Sequence, residues 1–402
     1  MIPGRQQLLV ALALLALAGC KPSVRYDVPV PHETVRPKAL APAPDSQTKA
    51  DTALRGEAHL FKGTEPVATI FPVHRVLRIY SYDGQGHELA YAENQDWQLT
   101  NGMIRRTEGS RIPDFATYRY SAQKGCDQGI LTRACAMAIA CLAGVRSCPP
   151  STAHQFDFIP APRNPPLTIG HNVYVDYVSA IPAPLIKAKP GGFQHARAVI
   201  CVGDSLTAGA HTIARYFHDR DDDSWCALLR RNLPGVRFEN RGQTDTSADA
   251  IIGQVERSSI KPDSVIIAFG MNDHVQGKAG LKWFTDELTR AIVDLKKRGI
   301  RIMLVGFFQQ NGLWVGERPA DTVAYNQTIE KLAQRQGVPF IDVRPAFDRL
   351  SGDAPPGEQF TADFMHHPNL YGQRIYFSLI VPHFISEDRS SSTMSDYVIG
   401  AE

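Results

Sequence analysis

Val199-Ile-Cys-Val-Gly-Asp-Ser-Leu-Thr-Ala-Gly209 is the stretch whose reading decides the fold of this chain. From Ala198 to Val202 the run has the length and β-branched content of a buried parallel strand, and Gly203 supplies a sharp exit from it. A helix is expected to restart after Gly203-Asp204-Ser205, which leaves Ser205 just outside the carboxyl end of a strand. Open α/β sheets bind ligands at that place, with the positive end of the next helix behind it. Asp204-Ser205 also reads as an ordinary helix cap, so the segments downstream must decide between the two.

Those segments repeat the same alternation. Apolar runs at Val236 to Asn240, Ser264 to Gly270, Arg301 to Gly306 and Val338 to Val343 read as further strands. Helical stretches lie between them, including Trp283 to Lys297 and Val323 to Gln336, the latter ending at Gly337. Each strand-helix unit has the size of a parallel crossover, so residues 196–386 are expected to form a doubly wound, three-layer α/β/α domain. A Pro/Gly-rich stretch from Pro182 to Gly192 precedes it.

Upstream, residues 57–190 have another texture: short β-like runs separated by turn residues. Val73 to Tyr82 and Asn172 to Val178 alternate, Tyr82-Asp-Gly-Gln-Gly86 reads as a hairpin turn, and Asn101-Gly102 sits at the tip of a second hairpin from Trp97 to Ile104. The simplest architecture is a smaller β-rich, sandwich-like domain. Tyr80, Tyr91, Trp97, Phe115, Tyr118 and Tyr120 read mainly as core and cross-strand packing, with stacking on sugar rings as the alternative. One stretch, Ala134 to Ala143, has helical composition.

Arg5, the apolar run Leu8 to Leu17 and Leu17-Ala-Gly-Cys20 form an N-terminus that resembles a bacterial lipoprotein signal with its lipobox. The resemblance implies removal of residues 1–19 and a lipid on Cys20, which would tie the chain to a membrane through residues 20–56, a Pro/Ala-rich tether. Expected localisation is the bacterial cell envelope, with the outer membrane facing the periplasm favoured and the cell surface as the alternative. Of seven cysteines, Cys126, Cys135, Cys141 and Cys148 cluster without a CxxC pair, so disulfides are expected there rather than zinc, with three pairings open. Cys201 and Cys226 read as buried apolar thiols, a disulfide between them being left open. With 43 basic against 41 acidic residues and no basic block, nothing points to a nucleic-acid partner. Residues 387–402 read as a flexible tail.

Four blocks then carry a family resemblance. Gly203-Asp-Ser-Leu206, Asn240-Arg-Gly242, Gly270-Met-Asn-Asp273 and Asp363-Phe-Met-His-His-Pro-Asn369 stand in the order, and at the strand ends, of an SGNH (GDSL-type) hydrolase. The resemblance implies a flavodoxin-like sheet and serine-dependent ester hydrolysis, with Ser205 as nucleophile and no metal or organic cofactor. It also implies an oxyanion hole from the Ser205 N–H, the Gly242 N–H and the Asn272 amide. Elementary chemistry agrees, because a serine hydroxyl needs a neighbouring base and the developing oxyanion needs donors already aimed at it. Taken singly, Gly242 could mark a turn and Asn272-Asp273 a helix cap. Asp204 reads as structural, and Asp245 and Asp249 as solvated or capping.

The fourth block doubles its histidine. Asp363 to His366 keeps the family spacing, whereas His367-Pro368 keeps the family sequel, and His367 is favoured as base with His366 packing or contacting substrate. Asp363 orients the base, or else lies too far from His367 and leaves a backbone carbonyl in that role. Lipid anchoring and the upstream β-rich domain favour an acetylated carbohydrate as substrate. A lipase, thioesterase or general carboxylesterase acting on short acyl esters is the alternative, with Phe307-Phe308 and Leu313-Trp-Val315 as candidate pocket walls. A non-catalytic glycan-binding envelope lipoprotein is a third reading.

Overall fold

The structure, a computed structural model, describes residues 26–29, 51–115, 119–123, 157–158, 169–180, 192–310, 319–351, 359–363 and 366–385. The Cys126 to Cys148 cluster, Cys20, the stretch Leu313 to Val315 and the tail from 387 lie outside the described residues. Upstream of residue 190 the strands are β1 (Tyr26–Pro29), β2 (Asp51–His59), β3 (Arg75–Tyr82), β4 (Glu88–Tyr91), β5 (Trp97–Thr100), β6 (Met103–Arg106), β7 (Arg119–Gln123), β8 (Asp157–Phe158) and β9 (Val173–Ala180). An antiparallel sheet runs in the order β2-β9-β3-β4, β5 and β6 form a hairpin, and β1-β7-β8 form a small third sheet. β1 and the first residues of β2 fall inside the segment read from sequence as a tether, so the β-rich region begins before Glu57.

Both expected hairpins are present, and their turn chemistry explains them. Asn101 (φ 53°) and Gly102 (φ 75°) take the left-handed conformations that a two-residue hairpin turn requires. At the β3-β4 turn, Asp83 Oδ1 accepts the N–H groups of Gln85 (2.8 Å) and His87 (2.9 Å). Side chains then alternate across the four-stranded sheet. Ile79, Val173, Val175 and Tyr177 pack under Trp97 and Ile104 of the hairpin, while Ala58, Tyr80 and Tyr174 join the core of the C-terminal half. Tyr80, Tyr91, Trp97 and Phe115 are all buried, as packing rather than sugar-stacking residues are.

β10 (Ala198–Gly203) is buried at every position, as the opening apolar run requires. The chain continues through α1 (Ile213–His218), α2 (Trp225–Asn232), β11 (Arg237–Asn240), α3 (Ile251–Glu256), β12 (Ser264–Ala268), α4 (Gly277–Lys297), β13 (Arg301–Val305), α5 (Pro319–Gln336), β14 (Phe340–Ile341), α6 (Arg344–Ser351) and α7 (Leu370–Ile380). All strand pairs in this half are parallel, in the order β11-β10-β12-β13-β14. Counted within the domain, that is the 2-1-3-4-5 order of flavodoxin-like folds, whose switch point lies beside its first strand. α2 packs with α7, and α4 with both α3 and α5, giving helical layers about the sheet.

Two expectations are corrected. Residues 204–211 form consecutive turns rather than a helix, because Gly209 (φ 70°) and His211 (φ 63°) interrupt any helical run, and α1 starts only at Ile213 with Thr212 as its cap. Cys201 and Cys226, both fully buried, are joined by a disulfide that ties β10 to α2. Between the two halves, α7 packs on β2, where Gly56 (φ 67°) leaves room for Arg374: a Cβ there would lie 1.7 Å from Arg374 Nη1. Among the described residues no helix is long and apolar enough to cross a membrane.

Candidate active site

The end of β10 is built to present Ser205. Gly203 admits no side chain, since a Cβ would lie 2.0 Å from Thr207 Oγ1 and 2.5 Å from Ala268 O. Gln254 brackets the same residue, accepting from Gly203 N (2.9 Å) and donating to Gly203 O (2.8 Å). Asp204, 1% exposed, turns inward and accepts the Leu206 N–H at 3.0 Å, so it is structural as expected. Burial pushes its carboxyl up to about 7 against that hydrogen bond. Ser205 itself faces an open cleft lined by Ala210, His211, Arg215, Tyr216, Thr244, Asp245 and His367.

The histidine arrives from the opposite end of the chain. Asn369 caps α7, its side chain accepting from Tyr371 N (3.0 Å) and Gly372 N (3.1 Å). The preceding loop folds back on itself through Asn369 N to Phe360 O (2.8 Å) and Ala362 N to His367 O (2.8 Å). That doubling brings Asp363 onto His367. Their side chains meet through His367 Nδ1 and Asp363 Oδ2, and His367 Nε2 stands 3.0 Å from Ser205 Oγ. The structure therefore places His367, not His366, against Ser205. Asp363 is not too far from it, which removes the backbone-carbonyl alternative. His366 lies alongside, ring centroids 4.2 Å apart, and its N–H donates to Asp363 Oδ1 at 3.0 Å.

Electrostatics follow from burial. Asp363 is 1% exposed, and although burial opposes its charge, the His367 charge and the neighbouring His211 and His367 imidazoles hold its carboxyl well below the usual range. His367 is lowered below 6.5, chiefly by burial, with the Asp363 charge pulling the other way. An imidazole neutral at physiological pH, with one nitrogen on a serine and the other on a carboxylate, can accept the serine proton and hand it on.

The expected oxyanion donors lie at the neighbouring strand ends. Asn272 donates one amide hydrogen to Thr246 O (2.9 Å), and its Nδ2 carries a second. Gly242 packs directly on the Ser205 turn, where a Cβ would lie 2.4 Å from Ala208 N, and its own N–H donates to Asn240 Oδ1 at 3.0 Å. Asn240 in turn donates to Thr207 O (2.8 Å) and Ser224 Oγ (3.1 Å), which binds the second block to the first. For Gly242 to serve an oxyanion, its N–H must turn away from that side chain. Asp273 is buried and accepts the Ala248 N–H at 3.1 Å, its carboxyl pushed up to about 7 by burial.

Sequence reasoning missed the cleft wall from His211 to Tyr216. No periodicity marks it; the left-handed residue His211 swings its ring to 4.3 Å from that of His367. His211, Asp363 and His367 offer ligand atoms within 4.8 Å of one another and could hold a metal ion. Asp363 and His367 also form the hydrogen-bonded chain ending at Ser205, a feature that a metal site does not require, while His211 Nδ1 stands 3.5 Å from Asp363 Oδ2. Phe307 and Phe308 are core residues rather than pocket walls, Phe308 stacking on Phe347 at 4.3 Å.

No curated protein matches the chain. Among solved structures, an acetylxylan esterase from Geobacillus stearothermophilus is similar at 20% identity and TM-score 0.39, covering 51% of this chain and 100% of its own. A putative lipolytic protein of the G-D-S-L family from Desulfitobacterium hafniense is similar at 16% identity and TM-score 0.37, covering 45% of this chain and 96% of its own. Residues 201–375, the span that holds all four blocks, match the GDSL-like Lipase/Acylhydrolase family. With its parallel sheet and a serine, histidine and carboxylate in line at the switch point, this part of the chain belongs to that family, and the protein is a carboxylic ester hydrolase.

Proposed function

We propose that the protein removes O-acetyl groups from a carbohydrate at the bacterial cell envelope, held to the membrane by a lipid on Cys20. One observation carries the catalytic assignment: Ser205 Oγ lies 3.0 Å from His367 Nε2, whose Nδ1 meets Asp363. Ser205 attacks the ester carbonyl while His367 takes its proton, and the tetrahedral oxyanion is met by the Ser205 N–H, the Gly242 N–H and the Asn272 amide. His367 then gives the proton to the leaving sugar hydroxyl. A water, deprotonated by His367, hydrolyses the acetyl-serine, and acetate leaves.

Two features favour a sugar ester. The cleft beside Ser205 is walled by polar groups (His211, Arg215, Thr244, Asp245) and one half-exposed aromatic, Tyr216, a lining suited to a hydroxyl-rich alcohol. Both Phe307 and Phe308 are committed to the core, so they offer nothing to a long acyl tail. Export rests on the lipobox-like N-terminus and on the Cys201–Cys226 disulfide, a bond rare in reducing compartments.

The test is turnover of p-nitrophenyl acetate, butyrate and octanoate and of acetylated oligosaccharides by the wild type and by Ser205→Ala. Acetate preference with release from the oligosaccharide is expected, abolished in Ser205→Ala. Faster turnover of the octanoate would favour a lipase, and no serine-dependent turnover on any ester would leave a binding protein. Asn272→Ala should lower kcat about a hundredfold or more without loss of folding, the effect of removing one oxyanion donor. An unchanged kcat removes Asn272 from the site.

A further inference from the structure

The Asp363 carboxylate is surrounded in an unusual way. Its Oδ1 accepts two backbone N–H groups, from His366 (3.0 Å) and His367 (3.2 Å). Its Oδ2 meets two imidazoles, His367 Nδ1 and, at 3.5 Å, His211 Nδ1. A carboxylate has about four acceptor sites, so three of them are hydrogen-bonded and the fourth faces the His211 ring nitrogen. His211 Nδ1 is fully shielded from solvent and completes no hydrogen bond of ordinary geometry, Asp363 Oδ2 at 3.5 Å being the carboxylate oxygen it faces. The rest of the side chain, 28% exposed, lines the cleft next to Ser205.

His211 occupies that place at a conformational cost. Its φ of 63° is left-handed, a region that ordinary side chains enter only when surrounding structure imposes it. The imposition is visible on both sides. Gly209 precedes it at φ 70°, and Thr212 follows, its Oγ1 donating to Gly209 O (2.7 Å) and accepting the Arg215 N–H (3.4 Å) at the start of α1. A turn held this firmly around a strained histidine aims the ring at one target, the triad carboxylate.

We propose that His211 is a positioning residue: its Nδ1–H is a second imidazole donor to Asp363, fixing the carboxylate in its ionised form beneath His367. This rests on the assignment of Ser205, His367 and Asp363 made above. During attack the proton moves from Ser205 Oγ to His367 Nε2, Asp363 stays ionised, and His211 keeps its own proton throughout. By drawing on Oδ2, His211 also loosens the hold of Asp363 on the His367 imidazolium. His367 is faced in addition by Asp363, His366, Ser205 and, across the cleft, Asp245, and of these the two carboxylates favour its charged form whereas His211 opposes it.

Two substitutions separate this role from plain packing. His211→Asn keeps a donor at the distance of Nδ1 and tolerates the left-handed backbone, whereas His211→Phe keeps the ring and loses the donor. Expected for His211→Phe is a fall in kcat/KM of about tenfold at neutral pH, with the acidic limb of the profile moved up by about half a pH unit. His211→Asn should recover most of the rate and leave the limb in place. The reverse order, Phe active and Asn impaired, means the ring merely packs and overturns the proposal, as does a Phe variant with an unchanged rate and limb. Should His211→Phe not fold, His211→Gly lacks the donor and adopts the backbone without strain. Absence of any Ser205-dependent hydrolysis would defeat the parent reading instead. An NMR titration of His367 in wild type and variants then still reads the coupling, and a titration unmoved by His211→Phe overturns it.

Discussion

Gly242→Ala puts the contact between the first two blocks under direct test. A Cβ at this position would lie 2.4 Å from Ala208 N, 2.7 Å from Thr207 C and 2.8 Å from Thr207 Cβ. Ordinary contact needs about 3.5 Å, so the two segments must part by about 1 Å. The Ser205 turn yields least, because Ala208 N donates to Asp204 O (3.0 Å) and Thr207 O accepts from Asn240 (2.8 Å). The end of β11 moves instead, carrying the Gly242 N–H away from the serine. A misplacement of about 1 Å costs on the order of a hundredfold in rate, as does loss of one oxyanion donor. We expect kcat on p-nitrophenyl acetate to fall by about that factor, with about 1–3 kcal/mol of stability lost to overpacking. Gly235→Ala is the control, since a Cβ there meets nothing within 4 Å and should change neither quantity. A Gly242→Ala enzyme whose kcat stays within about threefold of wild type would refute the argument that this approach sets the site.

Three further outcomes follow from the same geometry. His367→Ala should remove nearly all turnover, on the order of 10³-fold, and His366→Ala far less; equal losses would mean the doubled histidine acts as a unit. Since His367 must be neutral to accept the serine proton and burial lowers it below 6.5, kcat/KM should rise with pH through a value under 6.5 and then level off. A limb above 6.5 contradicts the burial argument. The Cys201–Cys226 bond closes a separation of 25 residues, so Cys201→Ala with Cys226→Ala should lower unfolding free energy in urea by about 3 kcal/mol, and equal stability would show that the thiols are not paired.

Much of the fold is legible in the sequence alone, and for physical reasons. A fully buried parallel strand must be apolar throughout, so Ala198 to Val202 announces itself, and Asn101-Gly102 states its own turn through two left-handed residues. The apolar run Ser264 to Gly270 is longer than the strand it forms, which stops pairing at Ala268 because Gly270 (φ 133°) turns the chain out of the sheet. α4 begins earlier than its apolar pattern suggests, as Gly280 is helical for a packing reason, its missing side chain making room for Tyr325. His211 and the Cys201–Cys226 pair were not legible, because each depends on a contact between segments whose separation in sequence carries no signature. The docking of the β-rich sheet on α7 is of the same kind. Gly56 looks like any turn glycine until Arg374 is seen beside it.

One glutamine has a consequence for how this enzyme can change over time. Gln373, fully buried on the first turn of α7, donates to Leu206 O (3.1 Å) just beyond the serine and accepts the Trp225 N–H (2.9 Å). It acts as a fixed strut between nucleophile and base, with the single helical turn from Asn369 as its length. Insertions or deletions between His367 and Gln373 would throw the two out of alignment, so the length of that segment is fixed by the chemistry it serves. The distance that performs the chemistry is thus set by one helical turn and inherited with it.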